Sequence, residues 1–254
     1  MSRTCRVRSE AVAATRSFLR RRTAVFFTFF FPFLLIVIFG VLVGTPAGGG
    51  LFAEPPGYYL PGYLAVVVLF TPLSRIGSEV ARGREGNRFE KLATTPLSRA
   101  EWLFAQTLVN TGVVGLAALL VLVLMPLTGA SVAVGPGLVA LVPLVALTVA
   151  VFCGVGAVLG RVADSQDGVI AAANGIALPL LFLSETFVTP DLLPAWLVPA
   201  LSLSPLTWFA RGVRAVTYSP LTGEPASVLV PLAVLAALAP LGFAAGAVAI
   251  PRTD

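Results

Sequence analysis

Apolar residues run through this chain in blocks too long for the two-residue alternation of a half-buried strand and too continuous for one face of a soluble helix. Six blocks, almost free of charge, lie at 24–43, 58–76, 102–127, 138–159, 168–187 and 228–250. A hydrocarbon core about 30 Å thick needs roughly 20 apolar helical residues, so each block is long enough to cross with some tilt. From Trp102 to Gly160 there is no Asp, Glu, Lys or Arg at all, room for two spans and their hairpin. Prolines inside the blocks (Pro32, Pro72, Pro143, Pro179, Pro240) are compatible with spanning helices, because neighbouring helices re-satisfy the freed carbonyls. The pattern predicts an all-α integral membrane protein of six transmembrane helices, one membrane domain over 1–254.

The stretch 186–210 reads two ways. It is apolar apart from Asp191 and long enough for a seventh span. Four prolines, Pro190, Pro194, Pro199 and Pro205, would interrupt a continuous helix repeatedly. Two short proline-started helices dipping into the outer leaflet, within an outer region at 188–226, fit better.

The polar remainder orients the chain. Only 11% of residues are charged against 57% hydrophobic, with a mean hydropathy of +0.93; this excludes a soluble globule and a disordered chain. The net charge of +5 is unevenly placed. Seven arginines precede Ala24, six basic residues follow the second block (Arg75, Arg82, Arg84, Arg88, Lys91, Arg99), and Arg161 and Arg252 share their side under six spans. Arg211 and Arg214 alone fall opposite. Basic loops stay in the cytoplasm, so both termini are expected inside. The first apolar block is too long for the core of a cleavable signal peptide.

Two cytoplasmic segments carry more than topology. In 1–23, Val7, Ala11, Ala14 and Phe18 share one helical face with Arg16 and Arg20 opposite, the pattern of an interfacial helix against anionic headgroups or of a plain basic anchor. The loop 77–101 interleaves Glu79, Arg82, Arg84, Glu85, Arg88, Glu90 and Lys91, with helical spacing for Glu79–Arg82 and Glu85–Arg88 pairs. Phe89, Leu92 and Ala93 form a small apolar face, Thr94-Thr95-Pro96-Leu97 stops the helix, and Ser98 with Glu101 makes a capping box ahead of Trp102. A docking element for a cytoplasmic partner accounts for this punctuation; a loop serving only topology needs none of it. The interspersed glutamates argue against nucleic acid.

Candidate chemistry is sparse. There is no histidine, which removes Ser-His-Asp catalysis and zinc-protease sites. Cys5 and Cys153 make no cluster, and the single lysine, Lys91, follows no glycine-rich turn, so no metal, no catalytic residue and no nucleotide site is expected in this chain. Glu185 is the one acidic residue within a block. Ion-coupled carriers bind their ions near the bilayer midplane, so any energy for transport is expected from another chain. Gly40–Gly44, Gly156–Gly160 and Gly242–Gly246 have the spacing of close helix contacts.

Three groups of residues resemble the membrane subunit of type-2 ATP-binding-cassette exporters, the prokaryotic permeases of drug, polysaccharide and lipid export. They are Glu79-x-x-Arg82 with Phe89-Glu90-Lys91-Leu92 and Thr95-Pro96-Leu97-Ser98; Leu181-Phe182-Leu183-Ser184 with Pro190 and Leu193-Pro194-Ala195-Trp196-Leu197; and Ser204-Pro205-Leu206-Thr207 with Arg211 and Arg214. Glu185 stands where that family often has glycine, and Trp208 where it commonly has tyrosine or another polar residue. The resemblance implies six spans, an N-terminal interfacial helix, a cytoplasmic coupling helix between spans 2 and 3, and an outer re-entrant hairpin between spans 5 and 6. It implies a separate ATPase subunit, holding ATP and magnesium, docked at Arg84, Arg88, Phe89, Glu90, Lys91 and Leu92. It further implies a second permease, identical or not, and an exported cargo, with Glu185, Trp196, Trp208, Arg211 and Arg214 as candidates for an outer gate. A membrane-embedded scaffold that only recruits a partner, and an ion-coupled carrier, are the rival readings.

Overall fold

The computed structural model describes residues 2–38, 54–189, 193–218 and 225–251. Ten α-helices lie among them: α1 (Arg3–Arg20), α2 (Arg22–Leu35), α3 (Leu60–Glu85), α4 (Arg88–Ala93), α5 (Arg99–Leu124), α6 (Leu141–Val162), α7 (Gln166–Phe182), α8 (Val198–Leu201), α9 (Pro205–Thr217) and α10 (Pro225–Ala249). No strand occurs among the described residues.

Helix α3 is the centre of the bundle. Of its most apolar window 78% is buried, against 17% for α10, and it packs against α5, α6, α7 and α9. Missing side chains make two of these packings possible. A Cβ at Gly156 would stand 2.7 Å from the Leu73 carbonyl oxygen, and one at Gly160 would run into that of Gly77. One at Gly246 would stand 2.6 Å from the Gly154 backbone. Two of the three expected glycine pairs therefore seat α6 against α3 and α10 against α6. The third, Gly40–Gly44, lies outside the described residues, as do the end of the first span and Pro190, Asp191 and Arg252.

Four described helices are long and apolar enough to cross a bilayer, those at Pro56–Glu85, Arg99–Thr128, Pro136–Val162 and Ser227–Ala249. A fifth follows if the α1–α2 pair, bent by 80°, is one span. The second block does not end at residue 76: α3 continues through Gly77 to Glu85, so the first part of the expected loop is helix. Nothing breaks it before Gly86 and Asn87, the latter in the left-handed region at φ 49°, which asparagine tolerates better than most residues. The fifth block is also shorter than expected. Ser165 caps α7 through the Gly168 N–H, and the helix stops at Phe182, with the Leu183 N–H bonded to the Pro179 carbonyl. At 1.5 Å per residue its 17 residues span about 25 Å, short of a full hydrocarbon core.

The stretch 186–210 is not one continuous helix. It contains non-helical turns, then α8, then α9 starting on Pro205 with the Ser204 side chain as its cap. The N-terminal segment is helical from Arg3, turns sharply at Arg21 and re-enters as α2. On α1, Ala14 and Phe18 are buried, Val7 and Ala11 half-buried, and Arg16 and Arg20 exposed, as the apolar stripe predicts.

Candidate functional site

Charged side chains converge at one end of the helix bundle, around the short helix α4. Glu79, only 8% exposed, is their hub. It accepts from Arg21, between α1 and α2, at 2.7 Å; it lies 3.7 Å from Arg82 on its own helix and 3.5 Å from Arg88 at the start of α4. Arg88 also reaches Glu10 of α1 at 3.4 Å, and Glu10 accepts from Gln106 of α5 at 3.3 Å. The expected Glu79–Arg82 pair is present. Arg88, however, turns to Glu79 and Glu10 and not to Glu85, because the chain reverses at Gly86-Asn87 and takes Glu85 out of helical register with it. Burial raises the Glu10 carboxyl above its usual range, with Arg88 opposing.

Two further arginines close helix ends. Arg84 donates to the carbonyls of Gly160, Arg161 and Ala163 at 3.3, 2.8 and 3.0 Å, and Arg99 to those of Val248 and Ile250 at 3.2 and 2.7 Å. Each places a cation on the unsatisfied carbonyls that end a spanning helix, α6 and α10. Arg82 additionally bonds Gln166, in the first turn of α7, at 3.3 Å.

Ser98 and Glu101 form the predicted capping box: Ser98 Oγ accepts from the Glu101 N–H at 3.2 Å, and a Glu101 oxygen accepts from the Ser98 N–H at 2.8 Å. Glu101 also takes Arg6 of α1 at 2.5 Å. That guanidinium and the Ser98 backbone N–H hold the Glu101 carboxylate between them.

Of the expected partner-docking residues, Arg84, Arg88 and Phe89 face their own chain. Phe89 is buried, edge-on to Trp102 with ring centroids 5.5 Å apart, and fills the space a Cβ at Gly83 would need. Leu92 is half-buried beside it; with Leu97, Trp102 and Ile250 they line a groove of about 290 Å³ under the end of α10. The apolar face expected to meet a partner is thus largely what fastens α4 to α3 and α5. Glu90, Lys91 and Ala93 to Pro96 form the exposed surface.

The outer candidates also assemble. Glu185, in the turn after α7, takes Arg211 of α9 in a two-pronged bond of 2.9 Å from Nε and 2.5 Å from Nη2. Arg211 lies over the Trp208 ring at 4.9 Å, and Trp208 Nε1 donates to the Ser202 carbonyl at 2.7 Å. Arg214, 3% exposed, donates to the carbonyls of Glu185, Thr186 and Tyr58, with the Tyr58 ring 4.0 Å beneath it. Only Trp196 stands apart, 77% exposed.

The sequence profile of the ABC-2 type transporter family matches residues 11–218. The chain belongs to that family. The match runs from within α1 to the end of α9 and takes in both charged clusters apart from Arg6, Glu10 and the α10 carbonyls bound by Arg99. No curated protein matches the chain. An ABC-2 membrane domain is a transport permease component, consistent with a non-enzymatic subunit.

Sequence reasoning missed Glu79 as a hub, and Glu10, Arg6, Arg21 and Arg99 as ties. A sole acidic residue among the seven N-terminal arginines, Glu10, was the one available signal.

Proposed function

We propose that this ABC-2 membrane protein is the permease subunit of an ATP-binding-cassette exporter, moving a hydrophobic or lipid-like molecule out of the cell. Both termini face the cytoplasm across the cell membrane. A separate ATPase subunit binds ATP and magnesium and docks on the exposed surface of α4 and the turn after it, at Glu90, Lys91 and residues 93–96. Two permeases and two ATPases form the working unit, and the cluster of Glu185, Trp208, Arg211 and Arg214, with Trp196 at its rim, closes the outer end of the path.

The single observation that carries this reading is how α4 is fastened. Arg88 bonds it to α1 and α3, and Phe89 packs it on α3 and α5. A push on a six-residue helix so tied displaces three longer ones together, whereas a helix on a slack loop would absorb it. Glu185, the acidic residue of the fifth apolar block, is committed to Arg211, which does not favour an ion-coupled carrier.

Reconstitution tests the reading. Vesicles holding the permease and a cognate ATPase are expected to export a hydrophobic cargo only with hydrolysable ATP. Flux that persists without the ATPase and collapses with an ion gradient identifies a secondary carrier. An ATPase that binds without any flux identifies a scaffold.

A further inference from the structure

A cleft of about 670 Å³ opens on the flank of the molecule between α2, α3 and α7, within the roughly 300–1,000 Å³ that ligand sites occupy. On the α3 wall it runs from Val66 to Arg82, about 24 Å at helical rise. Its two ends differ in chemistry. The end away from the cytoplasm is apolar, walled by Phe31, Val66, Phe70 and Leu178, and Phe31 and Leu178 remain nearly half exposed.

The cytoplasmic end gathers three guanidinium groups, Arg21, Arg75 and Arg82, against one carboxylate, Glu79. That carboxylate is already divided among Arg21, Arg82 and Arg88. Arg75 has no carboxylate within ion-pair distance among the described residues. Its close contacts are with neutral groups, Asn110 Oδ1 at 3.3 Å, the Ala14 carbonyl at 3.5 Å and the Phe18 ring at 4.7 Å, and the shared Glu79 acts on it from beyond ion-pair distance. A cation held at the edge of a bilayer without a counter-ion is costly, and the cleft beside it is shaped for a molecule with one charged end and one apolar end.

We propose that this cleft binds an anionic phospholipid of the cytoplasmic leaflet. Its phosphate lies among Arg75, Arg82 and Arg21, and one acyl chain runs along Phe27 and Phe31 toward Leu178. Charge complementarity selects this occupant: a zwitterionic lipid brings its own cation to a site with two positive charges in excess. Arg16 and Arg20 of α1, both exposed, add to the basic charge of the segment that leads into Arg21 of the cleft, and clustered basic residues draw anionic lipids. The leaflet assignment rests on the orientation proposed above; the binding chemistry does not. Glu79 and Arg82 belong both to this cleft and to the ties of α4, so the bound headgroup touches the coupling network directly.

Native mass spectrometry of the purified full chain, incubated with equimolar dioleoyl phosphatidylglycerol and phosphatidylcholine, tests the proposal without any ATPase or flux. A failed transport reading therefore leaves it standing, and the reverse. Phosphatidylglycerol adducts are expected to exceed phosphatidylcholine adducts by about tenfold. Arg75→Gln is expected to bring that ratio near one, and Arg75→Lys to retain most of it. Should Arg75→Gln fail to fold, Leu178→Trp fills the apolar end without touching a charge and is expected to remove the retained lipid. Equal retention of the two lipids by the unaltered chain overturns the proposal. So does an unchanged preference in Arg75→Gln or unchanged retention in Leu178→Trp, and so does a lipid-free dimer, which gives the cleft to a second copy.

Discussion

Glu79 shows how one side chain gathers distant parts of the sequence. Arg21 is 58 positions away along the chain and Arg88 nine, yet both end on the same carboxylate. Removing one member of a fully buried ion pair costs about 3–5 kcal/mol. Here the three arginines are each more than a third exposed, and solvent screening reduces that figure to about 1–2 kcal/mol. Glu79→Gln is expected to lower the thermal stability of the purified permease by that amount, whereas Glu85→Gln, on an exposed residue past the bend, shifts it by less than about 0.5 kcal/mol. Equal melting of the two variants would dismiss the hub. Residues of this kind are the part of the site that spacing along a chain does not reveal. Ser98 and Glu101, three apart, were legible because their bonds are local. Arg88 was misassigned to Glu85 because a left-handed turn at Asn87 redirects it to partners on other elements.

At the scale of elements, backbone contact governs the bundle. Helix α6 meets α3 at Gly156 and Gly160 and meets α10 at Gly154, in each case backbone against backbone. Gly115, on α5, has open space where its Cβ would go. Gly160→Ala is therefore expected to force α3 and α6 apart and yield little monodisperse protein. Gly115→Ala is expected to be tolerated and to stabilise its helix by up to about 1 kcal/mol. Comparable recovery of both variants in size-exclusion chromatography would refute the packing argument. The Gly-x-x-x-Gly spacing was visible in advance, but a sequence with 24 glycines does not say which of them touch a neighbour. The lengths of α3 and α7 were less visible still. Hydropathy marks where a helix is apolar, and α3 runs on past its apolar part because its charged turns find partners on α1, α4 and α7. Helix α7 stops early, and the turn that follows it is bound by Arg211 and Arg214 of α9.

Across the whole molecule, two charged clusters flank an uncharged bundle and differ in what they join. The one around Glu185 ties three elements, the turn ahead of α3, the turn after α7 and helix α9. The inner one joins α1, α3, α4 and α5 through Glu79, Glu10 and Glu101, and pins the ends of α6 and α10 through Arg84 and Arg99. The basic excess of the loops at this end was plain in the sequence alone. It did not announce that Arg84 and Arg99 close the protein's own helix ends and that Arg82 and Arg88 turn to its own Glu79, leaving Glu90, Lys91 and residues 93–96 exposed. On the function proposed above, α4 passes force because Phe89 and Leu92 fasten it to the spans. The most direct test is the ratio of cargo moved to ATP hydrolysed by the reconstituted complex carrying Phe89→Ala together with Leu92→Ala. With ATPase binding and membrane insertion intact, hydrolysis is expected to continue while that ratio falls by about tenfold or more, the effect of losing roughly 1.4 kcal/mol of coupling. A ratio equal to that of the unaltered protein would contradict the account.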